Sequence, residues 1–211
     1  QCATKLRDVS WVSCPFDVGG CDQVVVGGDG SFDAERTSFR SLQPTRSFNL
    51  NGIEARMSIR IVNSIFDNAV VFFQPTDDAT SKSRLEMAFN TAVVRTTNVI
   101  RGCAATSNLN KITLVENNIF VNTTGQDVID GPRCTTANNI LSQQATVIPG
   151  SNMIRDPMLV DPANHDFRLR SGSPAIDAAV PSTGLDPDHD FAGTPRPQGA
   201  KKDIGAFELT P

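Results

Sequence analysis

Apolar positions along this chain fall in short runs, and each run follows a polar corner. Glu116-Asn117-Asn118-Ile119-Phe120-Val121 is the clearest case. Asn63-Ser64-Ile65-Phe66, Thr97-Asn98-Val99-Ile100, Asn138-Asn139-Ile140-Leu141 and Ser151-Asn152-Met153-Ile154 are close variants. Aligning the second corner residue gives Ser64, Asn98, Asn118, Asn139 and Asn152, at intervals of 34, 20, 21 and 13 residues. A polar corner and an apolar pair recurring about every twenty residues is the signature of stacked repeats. One such repeat cannot bury its own apolar face, so its neighbours must stack on it. Asparagine suits the corner because it tolerates the left-handed backbone and bonds locally. Stacked amides can also bond to one another in a ladder. The long first interval leaves room for a protruding loop over 74–84. The short last interval predicts that a different structure takes over.

Between the corners the alternation has a period of two. Met57, Ile59 and Ile61 alternate with Arg56, Ser58 and Arg60, which predicts a strand with its apolar side inward. Lys5 to Val12 alternates in the same way, and Val24 to Val26, Val70 to Phe73 and Ile112 to Val115 read as further strands. No long stretch carries the 3.6-residue period of a packed helix. The expected fold is all-β, a solenoid over residues 1–155 whose first coils, over 1–50, are irregular. A tail over 156–211 should dock on the last coil. Of each pair Ile65/Phe66, Val99/Ile100, Ile119/Phe120 and Ile140/Leu141, one side chain should face the core. Phe167, Leu169, Ile176, Ile204 and Phe207 of the tail should be buried.

The tail has an ordered set of signals. Asp156-Pro157-Met158-Leu159-Val160-Asp161-Pro162 leads to Asp166-Phe167-Arg168-Leu169 and Gly172-Ser173-Pro174-Ala175-Ile176-Asp177. Gly193-Thr194-Pro195-Arg196-Pro197 and Asp203-Ile204-Gly205-Ala206-Phe207-Glu208 follow. With the coils, this series resembles secreted bacterial proteins of the pectate-lyase-like, right-handed parallel β-helix type that carry a "choice-of-anchor Q" ending. The resemblance implies that fold and an extracellular or bacterial cell-surface setting. The functions it implies range from polysaccharide lyases to surface proteins, so it fixes the fold far better than the activity.

Composition narrows the partners. The chain has 211 residues and a net charge of −4, with acidic and basic residues interspersed. That argues against nucleic acid, which requires a clustered basic face. No apolar run approaches the roughly 18 residues of a spanning helix. The chain opens at Gln1-Cys2 with no basic and apolar leader. It reads as a mature secreted form or a piece of something longer. No helix covers the first coil in this reading, so its strand edges should pack on upstream coils of a precursor, a second copy or another subunit.

Five cysteines are present. Cys103 lies five residues after one corner and Cys134 five before another, with one coil between, so their loops can meet. Cys14 and Cys21 close a short loop through Pro15 and Gly19-Gly20 as a second candidate disulfide, which leaves Cys2 single. Free buried thiols are the alternative for all five. A secreted setting favours pairing.

Candidate chemistry is sparse. Gly27-Gly28-Asp29-Gly30 lacks the Lys-Ser/Thr ending of a phosphate loop. Asp186, Asp188 and Asp190 alternate in a turn-rich loop, a pattern that can wrap calcium. The EF-hand pattern fails there, because Phe191 takes the place of its glycine and Pro197 that of its glutamate. A solvated acidic turn is the alternative. No resident cofactor is expected, and calcium is the one ion this loop could take. A β-helix lyase would need a base beside a uronate proton. Arg60 and Arg95, just ahead of their corners, are the candidates for that role or for a glycan-binding stripe. Glu54, Glu86, Glu116, Asp127 and Asp130 supply carboxylates, but no facing pair is singled out for hydrolysis. The reading is a non-catalytic extracellular module in adhesion, glycan binding or assembly. Its partner would be a polysaccharide or another surface protein. The alternative is a carbohydrate-active enzyme on acidic glycans.

Overall fold

In a computed structural model, the described residues are all except 1–2, 8, 13–22, 27–29, 44–47, 53–56, 74–82, 105–110, 183 and 211. The Cys14–Cys21 candidate, Cys2, Arg56 and most of the 74–84 loop lie outside them.

The chain is all-β, and it visits three sheets in rotation. The first circuit is β1 (Ala3–Arg7), β2 (Ser10–Val12) and β3 (Gln23–Val26), and the second is β4 (Ser31–Glu35), β5 (Ser38–Arg40) and β6 (Phe48–Gly52). The third is β7 (Ser58–Val62), β8 (Ile65–Asp67) and β9 (Ala69–Phe73), and the fourth β10 (Ser83–Ala88), β11 (Thr91–Val94) and β12 (Ile100–Arg101). Then come β13 (Lys111–Glu116) and β14 (Ile119–Asn122), β15 (Thr136–Ala137) and β16 (Ile140–Leu141), and last β17 (Met153–Ile154). The first sheet runs β1-β4-β7-β10-β13-β15, the second β17-β16-β14-β11-β8-β5-β2, and the third β12-β9-β6-β3. Every pairing in these three sheets is parallel. This is the arrangement that stacked parallel coils require. In the tail, β18 (Leu159–Asp161) and β19 (Asp166–Leu169) form an antiparallel hairpin around a 3-10 turn at Pro162–Asn164.

Alternation along the strands separates two cores. Phe32, Ile59, Ile61, Leu85, Met87 and Val115 of the first sheet join Phe39, Phe66, Phe120 and Leu141 of the second in one cluster. Phe39 stacks on Phe66 with ring centroids 5.0 Å apart. The intervening residues of the second sheet, Ile65, Val93, Ile119 and Ile140, face the other way. They form a second cluster with Leu159, Phe167, Leu169, Ala175, Leu185 and Ile204 of the tail. Of the expected tail residues, Phe167, Leu169 and Ile204 are buried, while Ile176 and Phe207 are partly covered.

In three of the four apolar pairs the second member enters the inner core and the first meets the tail. The fourth pair differs. Ile65/Phe66 and Ile119/Phe120 are in register with Thr91/Ala92, not with Val99/Ile100. Val99 and Ile100 both enter the inner core, at the third sheet.

The tail is not confined to the last coil, although Met153 of that coil joins its cluster. It runs along the side of the stack, because the outward row of the second sheet is apolar and needs a cover. Asn63 Nδ2 donates to the His189 carbonyl, Asn117 Nδ2 to that of Val180 and Asn138 Nδ2 to that of Ala178. These contacts span circuits three to six. Gly205 permits the close approach: a Cβ there would stand 2.6 Å from Ile119 Cδ1 and 2.9 Å from Thr91 Oγ1.

The Cys103–Cys134 disulfide is present, with Cα atoms 5.2 Å apart and both residues buried. Asp130 supports the same loop by accepting backbone N–H groups of Gly102, Cys103 and Ala104. Reducing the disulfide, which spans 31 residues, should destabilise the chain by about 2–4 kcal/mol. Urea melts of a Cys103→Ala/Cys134→Ala double variant against the parent measure it, and an unchanged midpoint would refute it.

Candidate functional site: corner row, tail lock and charged face

The corner between the first and second sheets is built from two residues per circuit. The first adopts a left-handed backbone: Arg36, Asn63, Phe89, Asn117 and Asn138 have φ between 48 and 56°. Three of the five are Asn, which tolerates this region. Arg36 and Phe89 are the exceptions, and a bulky residue such as Phe89 is strained there. The second residue turns inward and forms the amide ladder. Thr37 N donates to Ser64 Oγ, Ser64 N to Asn90 Oδ1, Asn90 N to Asn118 Oδ1, Asn118 N to Asn139 Oδ1, and Asn139 N to Asn152 Oδ1. The spacings are 27, 26, 28, 21 and 13 residues. Asn98 is not in this ladder; its amide donates to the Asp127 carbonyl at a different corner. Asn90 takes the position expected of it. Asn90 lacks the corner signal in the sequence, because Phe89 replaces the first Asn and Thr91-Ala92 replaces the apolar pair.

Residues of the corner row point at the tail, and there the tail is locked. Arg196 is fully buried with Glu208, its Nη1 2.7 Å from Oε1. It also donates to the carbonyls of Asp203 and Gly205 and to Asn63 Oδ1, and its guanidinium lies 5.1 Å from the Phe89 ring centre. Burial pulls this guanidinium down from its ordinary value, against the opposing pull of Glu208, Asp190 and Asp203. Burial pushes the Asp203 carboxyl up, although the N–H groups of Leu209 and Asp177 favour its charged form.

The three aspartates of the candidate calcium loop do not act together. Asp190 is buried, and its carboxylate accepts the Thr194 and Glu208 N–H groups. Asp186 pairs with Lys202 at 3.0 Å. Among the described residues the exposed Asp188 carboxylate makes no hydrogen bond or ion pair. Among the described residues no group of three or more His, Cys, Asp or Glu side chains could hold a metal ion. A backbone rich in turns leaves N–H groups that need acceptors, and Asp190 supplies two.

Arg60 and Arg95 are on different sheets. Arg60, on β7, pairs with Asp33 at 2.8 Å across the outer face of the first sheet. That face carries an alternating row in register, Lys5, Asp33, Arg60 and Glu86. Arg7–Glu35 and Arg84–Glu86 are paired on it too. Arg95, just past β11, pairs with Asp67 at 2.8 Å and donates to the Pro162 carbonyl. Asp67 is nearly buried and is also met by Arg40 at 3.2 Å and by His165 Nδ1 at 2.5 Å. That cluster fastens the β18–β19 hairpin to the second sheet. A third surface feature is Arg101, 5.3 Å over the Phe72 ring on the third sheet.

Two adjoining hollows lie between the charged face of the first sheet and the 184–190 loop. One, of about 430 Å³, is lined by Glu35, Arg60, Val62, Asp186 and Asp188, and the other, of about 240 Å³, by Arg7, Glu35, Arg36, Asp188 and His189. A more apolar hollow of about 320 Å³ sits over Phe89, walled by Val180, Pro181 and Pro197. No helix among the described residues is long and apolar enough to cross a membrane. Compared with known proteins, the chain matches no family model and no curated protein significantly.

Proposed function

We propose that the chain is a right-handed parallel β-helix of the pectate-lyase-like kind, working outside the cell or at its surface as a non-catalytic glycan-binding or adhesive module. The observation that carries this reading is the pairing of the charges on the outer face. Arg60, the candidate base there, is committed to Asp33, and Arg95 is spent on Asp67 and the tail. A guanidinium has donors and no acceptor, so such pairs suit recognition better than proton abstraction. The three in-register parallel sheets support the β-helix, and the Cys103–Cys134 disulfide supports an oxidising, extracellular setting. Residues 1–155 are the coils and 156–211 the cover that closes their side.

The test has two arms. The chain is applied to an array of neutral and acidic glycans, and it is also incubated with pectate, alginate and chondroitin while ultraviolet-absorbing unsaturated ends are followed. Retention on the array with no unsaturated product is expected. Time-dependent unsaturated product would replace this reading with that of a lyase.

A further inference from the structure

We propose that the edge of the second sheet at β17 is a docking slot for an extended segment of another protein, added in parallel and carrying a polar corner, an apolar pair and then an acid. The slot does not depend on glycan binding.

The inner core is open at this end of the stack. Phe66, Ala92, Phe120 and Leu141 are in register along the second sheet and face that core. Ile154 is the next residue of the row, yet it is 60% exposed. A hollow of about 250 Å³ lies there, lined by Leu141, Gln144, Val147, Ile148 and Ile154, with room for one large apolar side chain. At the edge of the first sheet the chain closes on itself instead. The Pro149 carbonyl accepts from Thr136 Oγ1 and Asn152 Nδ2, and Gly150 lies so close to the Thr136 carbonyl that no Cβ fits. The corner beside the slot is therefore held before anything binds, which lowers the ordering cost.

The preceding circuits specify the hydrogen bonds of an added strand. The Asn118 and Phe120 carbonyls accept from Ile140 N and Ser142 N, and the Asn139 and Leu141 carbonyls from Met153 N and Arg155 N. The next carbonyls in this series, those of Asn152 and Ile154, accept nothing among the described residues. The amide ladder stops at the same place. Asn118 N and Asn139 N each donate to a side-chain oxygen one circuit on, whereas Asn152 N has no acceptor among the described residues. Such an edge is a template for a strand, with backbone bonds giving affinity and side-chain contacts giving specificity.

Charge and corner chemistry choose the occupant. Arg155 is exposed, and its guanidinium makes no hydrogen bond or ion pair among the described residues. It lies one residue past the inner-core position of its strand. At that same position in earlier circuits Arg40 is in register with Asp67 and paired with it at 3.2 Å. An acid just past the apolar pair of the added strand would meet Arg155 in this way. A second copy fits less well. Stacked head to tail, it would bring Val9 to the ladder and Val12 to Arg155, and neither carries a side-chain acceptor. Turned end to end, it would set two Arg155 guanidiniums in one interface.

The experiment is fluorescence anisotropy of a labelled, end-blocked hexapeptide, Asn-Asn-Ile-Phe-Asp-Asn, titrated with the whole chain. Two comparison peptides replace its second Asn by Ala or its Asp by Lys. Expected are saturable binding of the first peptide and about a tenfold loss of affinity for each of the others. Arg155→Glu should melt like the parent and should reverse the preference between the Asp and Lys peptides. No saturable binding of the first peptide at millimolar chain concentration, equal binding of the Ala peptide, or a charge preference unchanged in R155E overturns the proposal. A dimer in sedimentation of the chain alone that Ile154→Asp dissolves would assign the edge to a second copy and overturn it as well.

Discussion

Replacing Arg196 with methionine should destabilise the folded chain by about 3–5 kcal/mol, the usual cost of removing one partner from a buried ion pair. The side chain is fully buried, so the loss is not screened by water. Three carboxylates surround it: Glu208 directly, with Asp190 and Asp203 near enough to act on it. Methionine keeps contact with Phe89 but leaves those acids without a counter-charge. Four hydrogen bonds go with it, to Glu208, Asn63 and the carbonyls of Asp203 and Gly205. The cost falls on the tail, so the outward row of Ile65, Val93, Ile119 and Ile140 should become accessible. Increased binding of a hydrophobic dye at temperatures below the main melt would report that opening.

The pH dependence has a definite sign. Asp203 is held above its ordinary value of 3.8, so the folded chain binds that proton more tightly than the unfolded chain. Its contribution to stability is therefore greatest below that value. It falls as pH rises through the window up to the folded value and is level above it. Without Arg196, Asp203 loses a neighbour that favours its charged form, so its window should widen and the variant should recover part of its loss on mild acidification. A variant within about 1 kcal/mol of the parent at neutral pH would show that the tail is held by its apolar contacts alone, since surface-like changes have effects of that size.

The parts legible in the sequence are those where chemistry and period coincide. Period-two alternation gave β7 from Met57, Ile59 and Ile61, and the Asn117-Asn118 and Asn138-Asn139 corners announced themselves because both positions want Asn. The left-handed position tolerates it, and the ladder position uses both ends of the amide. At Phe89-Asn90 those demands separate. The backbone strain at Phe89 is met by packing under Arg196, a contact 107 residues away in the chain that no local pattern reveals. Thr97-Asn98 then offered a better local match at the wrong corner. The side-on docking of the tail was hidden for a similar reason. A corner-plus-pair pattern says that Ile119 and Phe120 are both apolar, but not that Phe120 faces the inner core and Ile119 a second one. The acidic loop is ambiguous in sequence, because alternating aspartates read alike whether they hold an ion or backbone N–H groups.

Asn118→Ala should also be severe, about 3–5 kcal/mol, because this amide is a junction rather than a single bond. Its Oδ1 accepts from both the backbone and the side chain of Asn90. Its Nδ2 donates to the carbonyls of Met87 and Glu116 and to Asn139 Oδ1. The residue is fully buried, so none of these partners can turn to water. Each orphaned buried group costs about 1–3 kcal/mol, with some recovery as carbonyls keep their other bonds. Asn118→Asp separates shape from hydrogen bonding. The aspartate has nearly the same outline and can still accept from Asn90, but it turns an acceptor toward Met87, Glu116 and Asn139, and it buries a charge. It should therefore be at least as damaging as alanine at neutral pH and should recover as the carboxyl is protonated in acid. Asn98→Ala, at the corner outside the ladder, removes one partly buried bond to the Asp127 carbonyl and should cost only about 1 kcal/mol. Urea midpoints for the three variants rank them directly. Equal losses at Asn98 and Asn118 would mean that the amide ladder adds nothing beyond an ordinary corner bond.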